Sequence, residues 1–237
     1  MRQIGAAALL AASAIVGTAH AQTSQCTVPD RLPRPKPEEP TESEPRRDLP
    51  IGSYTLAVSW SPQYCAGKKS AADAFQCGGR SGRFGFVLHG LWPDGYGKAW
   101  PQYCKPTTLL PERVIRQNLC MTPSAQLLQH EWAKHGTCMS SRPADYFAKA
   151  RALYTPLRFP DMQAAARRPR LTVAAFAQLF ANANPGIRAD MMRVTTTRGG
   201  WLNEVWLCLD KRLRYTRCPA HQGGAKPAAV LRIRDAA

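Results

Sequence analysis

Two short stretches of this 237-residue chain hold the side chains best suited to moving protons and stabilising charge. In His130-Glu131-Trp132-Ala133-Lys134-His135-Gly136-Thr137-Cys138, two imidazoles, a carboxylate and an ammonium fall close together, and a cysteine follows. In Phe86-Val87-Leu88-His89-Gly90-Leu91-Trp92-Pro93-Asp94, a third imidazole lies near an indole and a carboxylate. Histidine titrates near neutrality, so one ring can be neutral while another is charged, as paired base and acid catalysis requires.

Spacing narrows the chemistry. A zinc-protease helix has histidines at i and i+4, with glutamate after the first. His130 and His135 are at i and i+5. On an α-helix that turns them about 500°, leaving the rings about 140° apart and badly placed for one metal. Glu131 and His135, at i and i+4, fall within about 40° on one face, with Lys134 beside them. The same residues could form a solvated face with a Glu131–Lys134 ion pair, worth only about 0.2–0.5 kcal/mol. Against that, Leu128 and Trp132 anchor one side of the helix and Cys138 can fix its end.

His89 follows an apolar run and precedes a glycine, which reads as a strand end where the backbone turns and a side chain lines a cleft. The alternative is a core histidine bonded to backbone. Trp92 is either core or a face on which a base stacks. Asp94 either accepts from a base edge or caps the next turn.

These segments need a frame. Tyr54–Trp60, Phe84–Leu88 and Glu204–Leu209 are rich in β-branched and aromatic residues and read as strands, with Leu213–Thr216 and an edge at Val230–Ile233 as further candidates. Thr122-Pro123 reads as a helix start and Gly136 as its stop. Pro143–Tyr154 and Thr172–Ala183 are further helices, the latter ended by Asn184-Pro185-Gly186. The pattern is an α+β domain with a mainly antiparallel central sheet and packed helices.

Before this domain, Arg2, the apolar run from Ile4 to Thr18 and Ala19-His20-Ala21 read as a bacterial-type signal peptide over 1–21, cleaved after Ala21. The run is too short to span a membrane. A periplasmic or secreted protein with no membrane span is expected. Residues 22–50 carry seven prolines among mixed charges and read as an extended arm or linker, with a solvated leader of no function as the plainer reading. The catalytic domain is placed at 51–237. All eight cysteines follow the signal, and an even count in an exported chain favours four disulfides. No two form a C-x2-C pair of the zinc type. The net charge of +16 draws polyanions, either nucleic acid or anionic membrane and cell-wall polymers, although it also serves solubility.

His89-Gly90-Leu91-Trp92-Pro93 and Glu131-Trp132-Ala133-Lys134-His135-Gly136-Thr137-Cys138 resemble the two active-site segments of the T2 ribonuclease family, in order as well as in composition. The resemblance extends in pattern over most of 51–218. It implies an endoribonuclease that cleaves single-stranded RNA by transphosphorylation. The products would be a 2′,3′-cyclic phosphate and then a 3′-phosphate, with no metal or cofactor and a monomeric enzyme. It implies His135 as general base, His89 as general acid, His130 as a phosphate ligand, and Glu131 and Lys134 as assistants where charge builds on phosphorus. Trp92, and less directly Asp94, fall in a base-binding site. The resemblance also implies a Cys104–Cys138 disulfide and a Cys208–Cys218 disulfide. Cys65 and Cys77 could close a loop on their own, which leaves Cys26 with Cys120. A contrasting possibility is a basic, stapled binding protein without turnover.

Overall fold

The computed structural model describes residues 23–24, 26–68 and 70–235; the expected signal peptide lies outside them. Six strands are present among them: β1 (Thr23–Ser24), β2 (Ser53–Trp60), β3 (Arg83–Phe84), β4 (Phe86–Asp94), β5 (Met192–Thr196) and β6 (Leu202–Leu209). The helices are α1 (Ser61–Tyr64), α2 (Ala74–Cys77), α3 (Glu112–Asn118), α4 (Ala125–Glu131), α5 (Thr137–Met139), α6 (Pro143–Tyr154), α7 (Met162–Ala166) and α8 (Val173–Ala183). Between α4 and α5 the chain runs through a π turn, Trp132–Gly136. The architecture is α+β. An antiparallel sheet in the order β4-β2-β6-β5 carries helices on one face, and β1 pairs with β3 in a two-stranded ribbon.

Alternation of side chains along a strand sorts the sheet into two faces. Leu56 and Val58 of β2 lie opposite Leu207 and Val205 of β6, and all four are buried in the core. Phe86, Phe159 and Phe180 join that core, with Phe86 stacked on Phe159 at 4.6 Å between ring centroids. The other face carries Thr55, Ser59, Glu204 and Trp206, and it is this face that turns polar. Strand β4 is at the sheet's edge. The hydroxyl of Thr122 donates to the Leu88 carbonyl at 2.9 Å, the Leu88 amide donates to the Met121 carbonyl, and the Tyr146 hydroxyl donates to the Leu91 carbonyl at 3.2 Å. These contacts satisfy a strand edge that would otherwise be open to pairing.

Several sequence expectations change. The segment 213–216 forms no strand and touches β6 only through an isolated Leu209–Tyr215 bridge. Leu213 sits at φ +59°, and the Asp210 carboxylate accepts from the Arg212 and Arg214 amides, so the chain is held in a tight turn. Val230 and Arg232 likewise make isolated bridges, to Thr172 and Trp201, rather than a closing strand. Helix α4 is capped by Ser124, whose hydroxyl accepts from the Leu127 amide at 3.2 Å. Thr122 does not cap it, because its hydroxyl is committed to β4. Gly136 does not stop the helix either. It sits where an added Cβ would meet the Trp132 ring at 2.4 Å and Tyr146 at 3.0 Å, so its role is close packing.

Four disulfides are formed: Cys26–Cys120, Cys65–Cys77, Cys104–Cys138 and Cys208–Cys218. The first ties the Pro-rich arm to the C-terminal end of α3. From there the arm runs over the domain rather than away from it. The Lys36 amide donates to the Gln126 side chain at 2.7 Å, and Arg47 and Gln102 exchange backbone hydrogen bonds. A free, solvated leader does not describe residues 26–50. Among the described residues no helix is long and apolar enough to cross a membrane.

Candidate active site

His89 owes its position to an irregularity in β4. Leu88 faces Val58 and Gly90 faces Ala57, so His89 is the one residue of the strand with no opposite number on β2. This is a β-bulge, a device that re-aims a side chain. It lets Leu88 and Leu91, three apart, both point into the core at 1% and 0% exposure. His89, Trp92 and Asp94 are left on the cleft side. The strand therefore continues through His89 to Asp94, where a strand end had been expected. Gly90 serves clearance rather than a turn: a Cβ there would overlap the Glu131 carboxylate and meet Trp92 Nε1 at 2.6 Å.

The second segment is shaped by the π turn. A π turn spreads its residues more widely than an α turn, which overturns the expected divergence of the two histidines. The rings of His130 and His135 lie edge to face with centroids 6.5 Å apart. Even so, among the described residues no three His, Cys, Asp or Glu side chains are grouped as metal ligands.

All seven residues singled out in the two segments, His89, Trp92, Asp94, His130, Glu131, Lys134 and His135, line a single cleft of about 550 Å³. His89 Nε2 faces Glu131 Oε1 at 3.5 Å, and Trp92 Nε1 donates to Glu131 Oε2 at 2.9 Å. The Trp92 ring packs against His89 and His135, at centroid distances of 5.1 and 5.7 Å. Asp94 accepts from the Thr55 hydroxyl at 2.8 Å. Lys134 does not pair with Glu131. Its Nζ lies 2.5 Å from Glu44 of the arm, and His130 Nδ1 lies 3.5 Å from Glu38 of the same segment.

A family model for the Ribonuclease T2 family matches residues 51–218. The chain belongs to the Ribonuclease T2 family. It is 37% identical over 164 residues to a ribonuclease of Aeromonas hydrophila, covering 67% of this chain and 71% of that one. It is 30% identical over 181 residues to a probable ribonuclease of Haemophilus influenzae, covering 71% of this chain and 61% of that longer relative. Among solved structures, trichomaglin, described as an S-like ribonuclease, shares the fold with a TM-score of 0.61 at 18% identity, covering 77% of this chain and 98% of that one. RNase NT, solved with 5′-AMP, gives a TM-score of 0.61 at 22% identity, with 78% and 98% coverage.

Within this T2-family cleft the electrostatics separate the histidines. Burial opposes charge on His89, but its hydrogen bond to Glu204 and the charges of Glu131 and Glu204 outweigh burial and hold the ring above the usual histidine value of 6.5. Burial, reinforced by the positive Lys134, holds His135 well below that value. Its Nδ1 is buried with no hydrogen-bond partner in the described structure, as suits an uncharged ring. Burial and Lys134 also lower His130, against the pull of Glu38. Glu131 is pushed up to about 7 by burial, against the opposing effects of His89, the Trp92 N–H and Lys134.

Some residues of the site were not singled out in the sequence. Glu204 stands behind His89, with Oε1 2.5 Å from His89 Nδ1. His221 and Gln222 line the far end of the cleft, and Gln222 reaches the Thr55 hydroxyl that holds Asp94. The one sequence signal for Glu204 is a carboxylate at the start of the apolar run 205–209, since a buried charge requires a partner. The basic clusters Arg167, Arg168, Arg170 and Lys211, Arg212, Arg214 are exposed and do not line the cleft.

Proposed function

We propose that this chain is an exported endoribonuclease that cleaves single-stranded RNA by acid–base transphosphorylation. The observation that carries this reading is that His89, His130, Glu131, Lys134 and His135 line one cleft, with His89 Nε2 3.5 Å from Glu131. Burial holds His135 well below the usual histidine value, while the hydrogen bond to Glu204 and the nearby carboxylates hold His89 above it.

In this reading the neutral His135 ring takes the proton of the ribose 2′-hydroxyl. The 2′-oxygen attacks phosphorus, and the bond to the 5′-oxygen breaks as His89 Nε2 delivers a proton to it. A 2′,3′-cyclic phosphate and a 5′-hydroxyl result. Water then opens the ring to a 3′-phosphate with the two histidines in exchanged roles. Lys134 and His130 bind the phosphate; Lys134 offsets the negative charge that develops there, and Glu131, pushed up to about 7, assists in its protonated form as a hydrogen-bond donor. Trp92 offers a stacking face, and Asp94, at the far end, a polar group for a base edge. The histidines and Lys134 supply the proton transfers and the charge without recourse to a metal. Export rests on the apolar 4–18 run and on four disulfides, which persist in oxidising compartments.

Replacing His135 with alanine tests the assignment. We expect RNA cleavage to fall by about 10²–10⁴-fold, the usual contribution of one general base, with unchanged circular dichroism. A variant as fast as the parent would remove His135 from the mechanism.

A further inference from the structure

We infer that Glu204 is the positioning residue of the acid, holding His89 with Nε2 toward the scissile phosphate. The inference builds on the acid role proposed for His89. Glu204 lies on β6, opposite Ser59 of β2, and is 7% exposed. Each of its oxygens is engaged. Oε1 receives His89 Nδ1 at 2.5 Å and the Ser59 hydroxyl at 2.7 Å, while Oε2 receives the Trp206 indole N–H at 2.8 Å. Ser59 and Trp206 are neutral donors from the same sheet face, so they fix the carboxylate without neutralising it. Among the described residues the one basic side chain paired with it is His89. The bulge at His89 and the rigid pair β2–β6 place ring and carboxylate in register, although 115 residues separate them.

The consequence for chemistry is specific. With Nδ1–H committed to Glu204, the proton available for the leaving oxygen is the one on Nε2. A carboxylate beside an imidazole fixes tautomer and ring orientation and favours the charged form, the logic of histidines held by a carboxylate in metal sites and in hydrolase triads. The other charged and titratable groups facing His89 are Glu131 of α4 and Lys134 and His135 of the π turn. Glu131 supports charge on His89, and Lys134 opposes it.

The test is Glu204→Gln in the full chain. We expect kcat to fall about tenfold to hundredfold, the range for removing the partner of a metal-ligating histidine, with KM little changed. The alkaline limb of the pH–rate profile should move to lower pH. Two further readouts separate positioning from folding. With an RNA analogue carrying a nitrophenol leaving group, which needs no acid, the defect should shrink towards parent activity. The His89 ring, followed by NMR, should titrate at lower pH in the variant. An equal defect on both substrates, or an unshifted His89 titration, would overturn the inference. The NMR result needs no turnover, so it stands apart from a failure of the ribonuclease reading itself.

A second inference rests on a different observation, the course of the arm. We infer that Glu38 and Glu44 are an intramolecular competitor for the phosphate-binding side of the cleft. Both lie outside the family match at 51–218. Cys26–Cys120 anchors the arm, and the Gln126 amide donates to the Glu38 carboxylate at 2.6 Å, so the strap passes over α4. It delivers Glu38 to His130 and Glu44 to Lys134. The Glu44 side chain is 44% exposed, so water and competing anions reach it. The test is Glu38→Gln/Glu44→Gln, which leaves the disulfide intact. A 2′-deoxy oligonucleotide, which binds but is not cut, should bind severalfold tighter to the variant at low salt, and the gain should fade as salt rises. Unchanged or weaker binding would overturn this inference, whether or not the chain cleaves RNA.

Discussion

The two flanks of the cleft hold their cations in opposite ways. On the sheet flank, His89 meets Glu204, whose side chain is 10% exposed and fixed by Ser59 and Trp206. On the helix flank, Lys134 meets Glu44, whose side chain is 44% exposed and belongs to an irregular arm. Removing one partner of a buried pair leaves an uncompensated charge and is costly. Lys134 is itself buried, with its side chain 11% exposed, so the difference lies in the anion: Glu44 is open to water and can be displaced, whereas Glu204 is not. In the proposed mechanism the sheet flank keeps the proton donor in one pose. In the same mechanism the helix flank holds, in Lys134, a cation that a phosphate can claim.

Breaking that contrast should give unequal effects. His89→Ala removes the proposed acid from the fixed flank, and we expect a loss of about 10²–10⁴-fold in kcat. His130→Ala on the exchangeable flank should act mainly through KM. Steady-state kinetics on one oligonucleotide compares the two, and equal kcat losses would erase the distinction.

The pH profile sharpens it. His135 must be deprotonated to act as base, and its pKa lies well below 6.5, so activity falls only at acid pH. His89 must be protonated to act as acid, and its pKa lies above 6.5, so activity falls on the alkaline side. A bell with a plateau spanning 6.5 is expected from kcat/KM measured across pH. A single limb centred on 6.5 would contradict this assignment.

Gly90→Ala probes the clearance between the flanks. Its Cβ would displace the Glu131 carboxylate, and overpacking of this kind costs about 1–3 kcal/mol. Thermal denaturation should show a lower Tm, together with reduced cleavage. The mildest effect on the chemistry is expected for Cys26→Ser/Cys120→Ser. Losing that bridge should cost about 2–4 kcal/mol of stability and loosen the arm, with kcat at saturating RNA unchanged. Denaturant unfolding and saturation kinetics on the same sample check both parts.

How far the sequence could be read differs between these flanks for physical reasons. The residue types in the two segments were enough to gather all seven side chains into one cleft. Helix α6 begins and ends at Pro143 and Tyr154 as its start signal and apolar spacing indicate. What local spacing could not carry was backbone irregularity. The bulge at His89 depends on register with β2, and the π turn at Trp132–Gly136 depends on how Trp132 and Tyr146 pack around Gly136. The helical-wheel angle between His130 and His135 failed for that reason. Glu204 looked like one polar residue in a strand, because its partner lies far away in sequence. The arm looked like a leader, because its prolines and charges form no element and the contacts that hold it down are made to distant parts of the domain.

The most direct test of the central claim is analysis of the ends produced from a defined single-stranded RNA oligonucleotide in the presence of chelator. The account predicts cleavage that yields 5′-hydroxyl and 2′,3′-cyclic phosphate ends, the latter converting with time to 3′-phosphate, and no cleavage of the matching DNA. Ends bearing a 5′-phosphate, or cleavage only after a divalent metal is restored, would contradict it.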